Sequence, residues 1–353
     1  MNTAKITSYD SLTLARKALL PRCGFSLPLV GLVLALLAAS PEAQGHFRLL
    51  AKIPVPTNAQ YSVAVDEWFN KIYVSGGASS GQHVVAINGR TFAATNLGLG
   101  SNGNIDLRTD RYWAANVYDG GVIVRNGSTN SIITTIPLGY CPVGVTYDYH
   151  KNRIWVGAQC GAFNDPVFAI DAATFSVVAG PIGTGGVYGT SIANGATGVL
   201  YLTTSGISKR VNPETFAVTK NAFGEVRAIY VGPNLLYASK GNNLQILNGA
   251  TYPETILATI ALPYTPGSMG INTELNHLYI TNPAGQSIQV RNGRTGAAIN
   301  TFSLSPFAAT PNGEMTVDSI RGRIYVIAST SSGPVLLILE DLITARSARA
   351  NPD

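Results

Sequence analysis

The sequence predicts an all-β protein, a seven-bladed β-propeller with four-stranded blades and a ring closed by the N-terminal strand. Three recurrences carry the prediction. An aromatic in an apolar step recurs at Tyr73, Trp113, Trp155, Tyr201, Tyr237, Tyr279 and Tyr325, at intervals of 36–46 residues. A turn ending in Thr reads NGRT at Asn88, NGST at Asn126, DAAT at Asp171, NPET at Asn212, NGAT at Asn248 and NGRT at Asn292. An Asp or Asn stands seven residues before the aromatic at Asp66, Asp106, Asp148, Asn194, Asn272 and Asp318. Short strands separated by turn signals, without helical periodicity, specify an all-β domain. Four strands in a unit of ~42 residues make a propeller blade.

Taken in order, the chain opens on a segment set apart from the fold. Lys5, Arg16, Lys17 and Arg22 precede the uncharged run FSLPLVGLVLALLAA, Phe25–Ala39, and the small residues of AASPEA follow. This layout reads residues 1–43 as a signal peptide, cleaved after Ala39 or Ala43. The apolar run has 15 residues, short of the ~20 that a membrane-spanning helix needs. Residues 44–343 are the propeller. Each unit runs through a first strand, an Asx turn, the aromatic strand, a Gly-rich loop, a third strand, an Asn-Gly turn and a fourth strand. Asn-Gly is expected to supply the positive φ values of a two-residue hairpin, and Asp or Asn opening the first turn bonds its own backbone. The fifth unit, YVGPNLLYA, lacks the Asx marker and reads as a shorter turn. The seventh unit runs out after its third strand. LLAKIPVP near the N-terminus resembles the fourth strands ILATIALP and IITTIPLG, so residues 47–54 are assigned as the outer strand of blade seven. The tail, 344–353, is polar and without pattern, and reads as loose.

The markers IYV, LYITN, NGRT and TIPLG resemble those of the YVTN-repeat propellers, seen in bacterial periplasmic and archaeal surface-layer proteins. The resemblance covers residues 46–343 and implies a seven-bladed ring in an exported protein. It implies no shared catalytic residues. The fourth unit, GVLYLTTSGISKRVNPETF, departs most from the pattern.

Composition narrows the function classes. The chain is 46% hydrophobic and 12% charged, which excludes a disordered chain. Without the leader, 20 basic and 17 acidic residues remain. Lys and Arg are not clustered, which argues against nucleic acid as a partner. Of three Cys, Cys141 and Cys160 remain after the leader. Both fall on the loop face of blade three and are expected to form a disulfide pinning the Ala158–Pro166 loop, with two buried thiols as the alternative.

A propeller's ligands are expected on the face carrying the second-to-third-strand loops and the blade-joining loops. Ser62, Asn102, Thr190, Ser268 and Glu314 each stand eleven residues before the aromatic, which places them near the channel mouth. Glu225 and Arg227 join them through a shifted register in unit five. These seven residues form the candidate ligand site. The alternative is a solvated channel in which Arg227 pairs with an acid.

No catalytic residue, metal or cofactor is nominated. The repeated Asp residues read as turn formers, the aromatics as inter-blade core, and His46, His83, His150 and His277 occupy four different unit positions. The expected function is an exported, periplasmic or secreted, binding or scaffold protein that meets a protein or small-molecule ligand through its loop-rich face. The alternative is an enzyme of lyase or lactonase type using Glu225, Arg227 and Glu314.

Overall fold

The structure, a computed structural model, describes residues 47–56, 62–76, 83–159, 165–185, 191–204 and 207–342. The expected signal peptide and tail, Thr190 and Cys160 lie outside the described residues.

Seven four-stranded antiparallel sheets form the blades. Their innermost strands are Ser62–Asp66, Ser101–Asp106, Pro142–Asp148, Ser191–Ala193, Glu225–Tyr230, Met269–Asn272 and Thr310–Asp318. The aromatic strands follow at Lys71–Ser75, Arg111–Asn116, Arg153–Ala158, Leu200–Thr204, Leu235–Lys240, His277–Asn282 and Arg323–Thr330. The expected ring closure is present: Phe47–Pro54 pairs antiparallel with Gly333–Asp341, from Phe47 opposite Asp341 to Pro54 opposite Val335. The closing strand is anchored by Phe47, which is buried against Tyr279 and Phe302.

The middle strands are buried on both faces because each blade is sandwiched between two others. Tyr73, Trp113, Trp155, Tyr201, Tyr237, Tyr279 and Tyr325 are all at most 1% exposed, which makes them core and unavailable as stacking platforms. Many are also polar ties. Tyr73, Tyr201, Tyr237 and Tyr279 donate their hydroxyls to Gly127 O, Glu254, Gly293 O and Asp341, each in the following blade. Elsewhere the cation two residues earlier does this work. Arg111 donates to Ala172 O at 2.8 Å, Arg153 to Pro213 O at 2.9 Å, and Arg323 to Gly89 O at 2.7 Å across the closed seam. A buried carbonyl needs such a donor, so one spacing supplies both core volume and blade-to-blade attachment.

The Asx turns form as expected. Asp66 Oδ1 accepts the N–H groups of Trp68 and Phe69, Asp148 those of His150 and Lys151, and Asn272 those of Glu274 and Leu275. The fifth turn corrects the expectation of a shorter loop: residues 231–234 separate its strands, four residues as in the first turn, 67–70. It differs in carrying Tyr230 at the Asx position, whose hydroxyl reaches Thr273 O in the next blade.

The Asn-Gly turns are a second correction. They are not two-residue hairpins, and Gly89, Gly127 and Gly293 do not have positive φ. Asn88 Oδ1 instead accepts the N–H groups of Arg90 and Thr91, and the left-handed residue is Phe92, whose N–H closes the turn on Asn88 O. Asn130, Phe175, Phe216 and Gly296 play the same part in other blades. The glycine is required by crowding. A Cβ on Gly127 would lie 1.8 Å from Asp110 Oδ1, and one on Gly89 would lie 2.1 Å from Asn70 Oδ1. Asn70 and Asp110 are the left-handed residues of the facing Asx turns.

Candidate functional site

Bulges interrupt several inner strands, and a bulge re-aims a side chain. The pairing skips between Ser101 and Asn104, Pro142 and Gly144, Val226 and Ala228, and Pro311 and Met315. Asn102, Arg227 and Glu314 are therefore bulge residues, and the register shift expected at Arg227 is present.

Most of the candidate side chains are engaged between blades. Asn102 Nδ2 donates to Val143 O at 2.7 Å, and Ser268 Oγ donates to Gly313 O at 2.7 Å. The Glu314 carboxylate accepts from the Ser62 hydroxyl and the Val63 N–H. Thr146, not singled out from the sequence, adds a tie from blade three to blade four, 2.7 Å from its hydroxyl to Ser191 O. Arg227 forms an ion pair with Glu225 on its own strand and donates Nε to Ser239 Oγ at 2.7 Å.

The ring leaves a cavity of about 100 Å³. Ser62, Asn102 and Glu314 line it, while Ser268, Glu225 and Arg227 do not. The structure thus joins three of the described candidates around one space and leaves the Glu225–Arg227 pair apart. Glu314 is partly reached by water but surrounded by the ring, and burial pushes its carboxyl up to about 7 against the two hydrogen bonds that oppose the shift. It is therefore poised to exchange a proton near neutrality.

The cavity also reveals a residue that the sequence reading passed over. Asp165 lines it, is 5% exposed, and has a carboxylate oxygen, Oδ2, without a hydrogen-bond partner among the described residues. Asp165 lies inside the Ala158–Pro166 loop and has no periodic signal. Among the described residues, no group of three or more His, Cys, Asp or Glu is placed to hold a metal ion, and no helix is long and apolar enough to cross a membrane.

Fold and ring together define a seven-bladed β-propeller. No family model matches the sequence, and no curated protein matches it. Among solved structures, the chain is similar to a chain of the mitotic checkpoint complex, with a TM-score of 0.64 at 10% identity, covering 91% of this chain and 99% of that one. It is also similar to the β-propeller domain of Cps50 (Swd1) from Myceliophteria thermophila, with a TM-score of 0.63 at 10% identity, covering 83% and 99%. At this identity the likeness shows the fold alone.

Proposed function

We propose that the chain is an exported propeller of YVTN-repeat type that binds a protein or small-molecule partner through its loop-rich face. The observation that carries the reading is the state of the inner ring. The polar side chains of the inner strands, Ser62, Asn102, Ser268 and Glu314 at the repeated position and Thr146 beside it, are bonded across blade seams. Such groups hold a rigid frame, and a rigid frame presenting irregular loops is how scaffolds carry binding sites. The similar chain of the mitotic checkpoint complex belongs, by that description, to an assembly, which agrees with a binding role. Export rests on the leader layout of residues 1–43, and a Cys141–Cys160 disulfide belongs to the same reading.

The lyase or lactonase alternative needs Glu225, Arg227 and Glu314 to converge on one substrate. It is weakened because only Glu314 lines the cavity and Arg227 is held by Glu225 and Ser239.

Two measurements test the proposal. Expression of the full chain with its own leader, followed by intact mass determination, is expected to show a product starting after Ala39 or Ala43 and lacking free thiols. An uncleaved product that stays in the cytoplasm would count against export. A soluble-metabolite thermal-shift screen of the mature chain separates the ligand classes: saturable stabilisation marks a small ligand, and no shift points to a protein partner.

A further inference from the structure

At the position two residues past the aromatic, the blades carry Ser75, Ala115, Gly157, Thr203, Ser239, Thr281 and Ile327. Only blade three has no side chain there. Gly157 pairs with Val167 of the third strand, and a Cβ built on Gly157 would meet nothing within 4 Å. The missing side chain leaves space in the seam between blades three and four. The channel cavity runs into this seam, past Val167, Ser191 and Leu202, to Asp165.

The cavity's electrostatics are one-sided. Among the described residues, Asp165 and Glu314 are its ionisable lining groups, and no Lys or Arg lines it. Lys209, on the third strand of blade four, is buried nearby, but its ammonium is used by Thr184 O and Gly185 O and makes no ion pair among the described residues. Two residues of the cavity wall, Asp165 and Asn102, each keep a side-chain oxygen, Oδ2 and Oδ1 respectively, buried and without a hydrogen-bond partner among the described residues. A buried carboxylate oxygen left unpaired is costly, and a donor-bearing cation removes the cost.

We infer that the seam cavity is a binding site for a primary ammonium group, with Asp165 as its counter-charge and Asn102 Oδ1 as a second acceptor. This deepens the binding reading above and rests on it. An ammonium group fits better than a calcium ion, which needs 6–8 convergent oxygens. It also fits the size, since about 100 Å³ admits an alkylammonium head but is below the ~300 Å³ of sites that enclose a whole metabolite. The ligand is therefore an amine that inserts its charged end, such as an alkylamine, a polyamine or a lysine side chain.

Calorimetric titration of the mature chain with methylammonium and putrescine tests the site, with tetramethylammonium and calcium chloride as controls. The expected result is saturable binding of the two primary amines. Asp165→Asn is expected to weaken it about ten- to a hundredfold, the scale of one charged hydrogen bond. Gly157→Val, which fills the seam without touching a charge, should do the same while keeping the wild-type melting temperature. It keeps the test open should Asp165→Asn fail to fold. Equal binding of tetramethylammonium, binding of calcium in place of the amines, or amine binding unchanged in Gly157→Val would each overturn the inference. Absence of any amine binding would also overturn it, while leaving export and partner binding to be judged by their own tests.

Discussion

At the residue scale, the repeat brings the Asx residue of one blade against the left-handed turn residue of the next. Asn194 Nδ2 donates to Asn234 Oδ1 at 2.7 Å, and a Cβ on Gly198 would sit 3.2 Å from Asp148 Oδ2. At the seam of blades one and two both residues are acids, Asp66 and Asp110. Asp66 Oδ2 and Asp110 Oδ1 are buried without a hydrogen-bond partner among the described residues. Burial, opposed by the turn N–H groups and reinforced by Asp110, pushes the Asp66 carboxyl up to about 6. Lys71 lies close by and bonds Gly127 O, Ser128 O and Asn130. Replacing Asp110 with Asn, the residue found at 70, 152, 234 and 276, removes the like charge and supplies a donor. Asp110→Asn is expected to raise the melting temperature at pH 7 by ~2–4 °C, about the effect of 1 kcal/mol in a domain of 150–250 residues. A lowered melting temperature would contradict this account of the seam.

The same chemistry sets a pH dependence. Glu67 and Glu314 are each pushed up to about 7 by burial, from an ordinary 4.5, and Asp66 to about 6, from 3.8. A carboxyl with a raised folded pKa binds its proton more tightly in the folded state. Its contribution to stability is complete below the unfolded value and is lost as pH rises through the folded value. Melting measured from pH 5 to pH 7.5 should therefore fall with rising pH, and Glu314→Gln should flatten part of the fall. A slope unchanged in Glu314→Gln would show that this carboxyl titrates as it does in the unfolded chain.

At the element scale, two glycines of opposite character test the turn account. Gly127 has Asp110 Oδ1 and Asp110 O in the place of a side chain, whereas Gly157 has empty space. Thermal melts are expected to show Gly127→Ala strongly destabilising, by more than ~2 kcal/mol as for other overpacked sites, and Gly157→Ala close to neutral. The contrast also shows what was legible in the sequence. The aromatics and Asx residues were readable because they repeat at fixed spacing and have one physical use each. Asn-Gly misled because that dipeptide has two uses, positive φ or the absence of a Cβ. The residue that takes positive φ is often Phe, at Phe92, Phe175 and Phe216, which no turn rule flags. Phe175 and Phe216 lie 4.8 and 5.2 Å from the guanidinium groups of Arg111 and Arg153, so a contact between blades accompanies the unfavourable backbone. Of the channel residues, Ser62, Asn102 and Glu314 were legible from their register. Asp165 was not, because it stands in a loop that the other blades do not repeat.

At the scale of the whole molecule, closure joins the first and last strands of the ring, and Phe47 secures it between Tyr279 and Phe302. Phe47→Ala should cost about 3–5 kcal/mol, the range for large-to-small aromatic changes in a core, measured by denaturant unfolding. A change below ~1 kcal/mol would mean that the closing strand is held mainly by its ladder and not by this anchor. The ring also frames the functional question, because the same fold hosts both binders and enzymes. In this chain the repeated polar groups bond blade to blade, and Asp165 Oδ2 and the Asn102 side-chain oxygen are left without hydrogen-bond partners among the described residues.

The most direct test of the binding account is isothermal calorimetry of the mature chain against amines and lactones, because one instrument distinguishes binding from turnover. The account predicts heats that return to baseline after each injection and saturate. Sustained heat output that accompanies product formation and disappears in Glu314→Gln would contradict it.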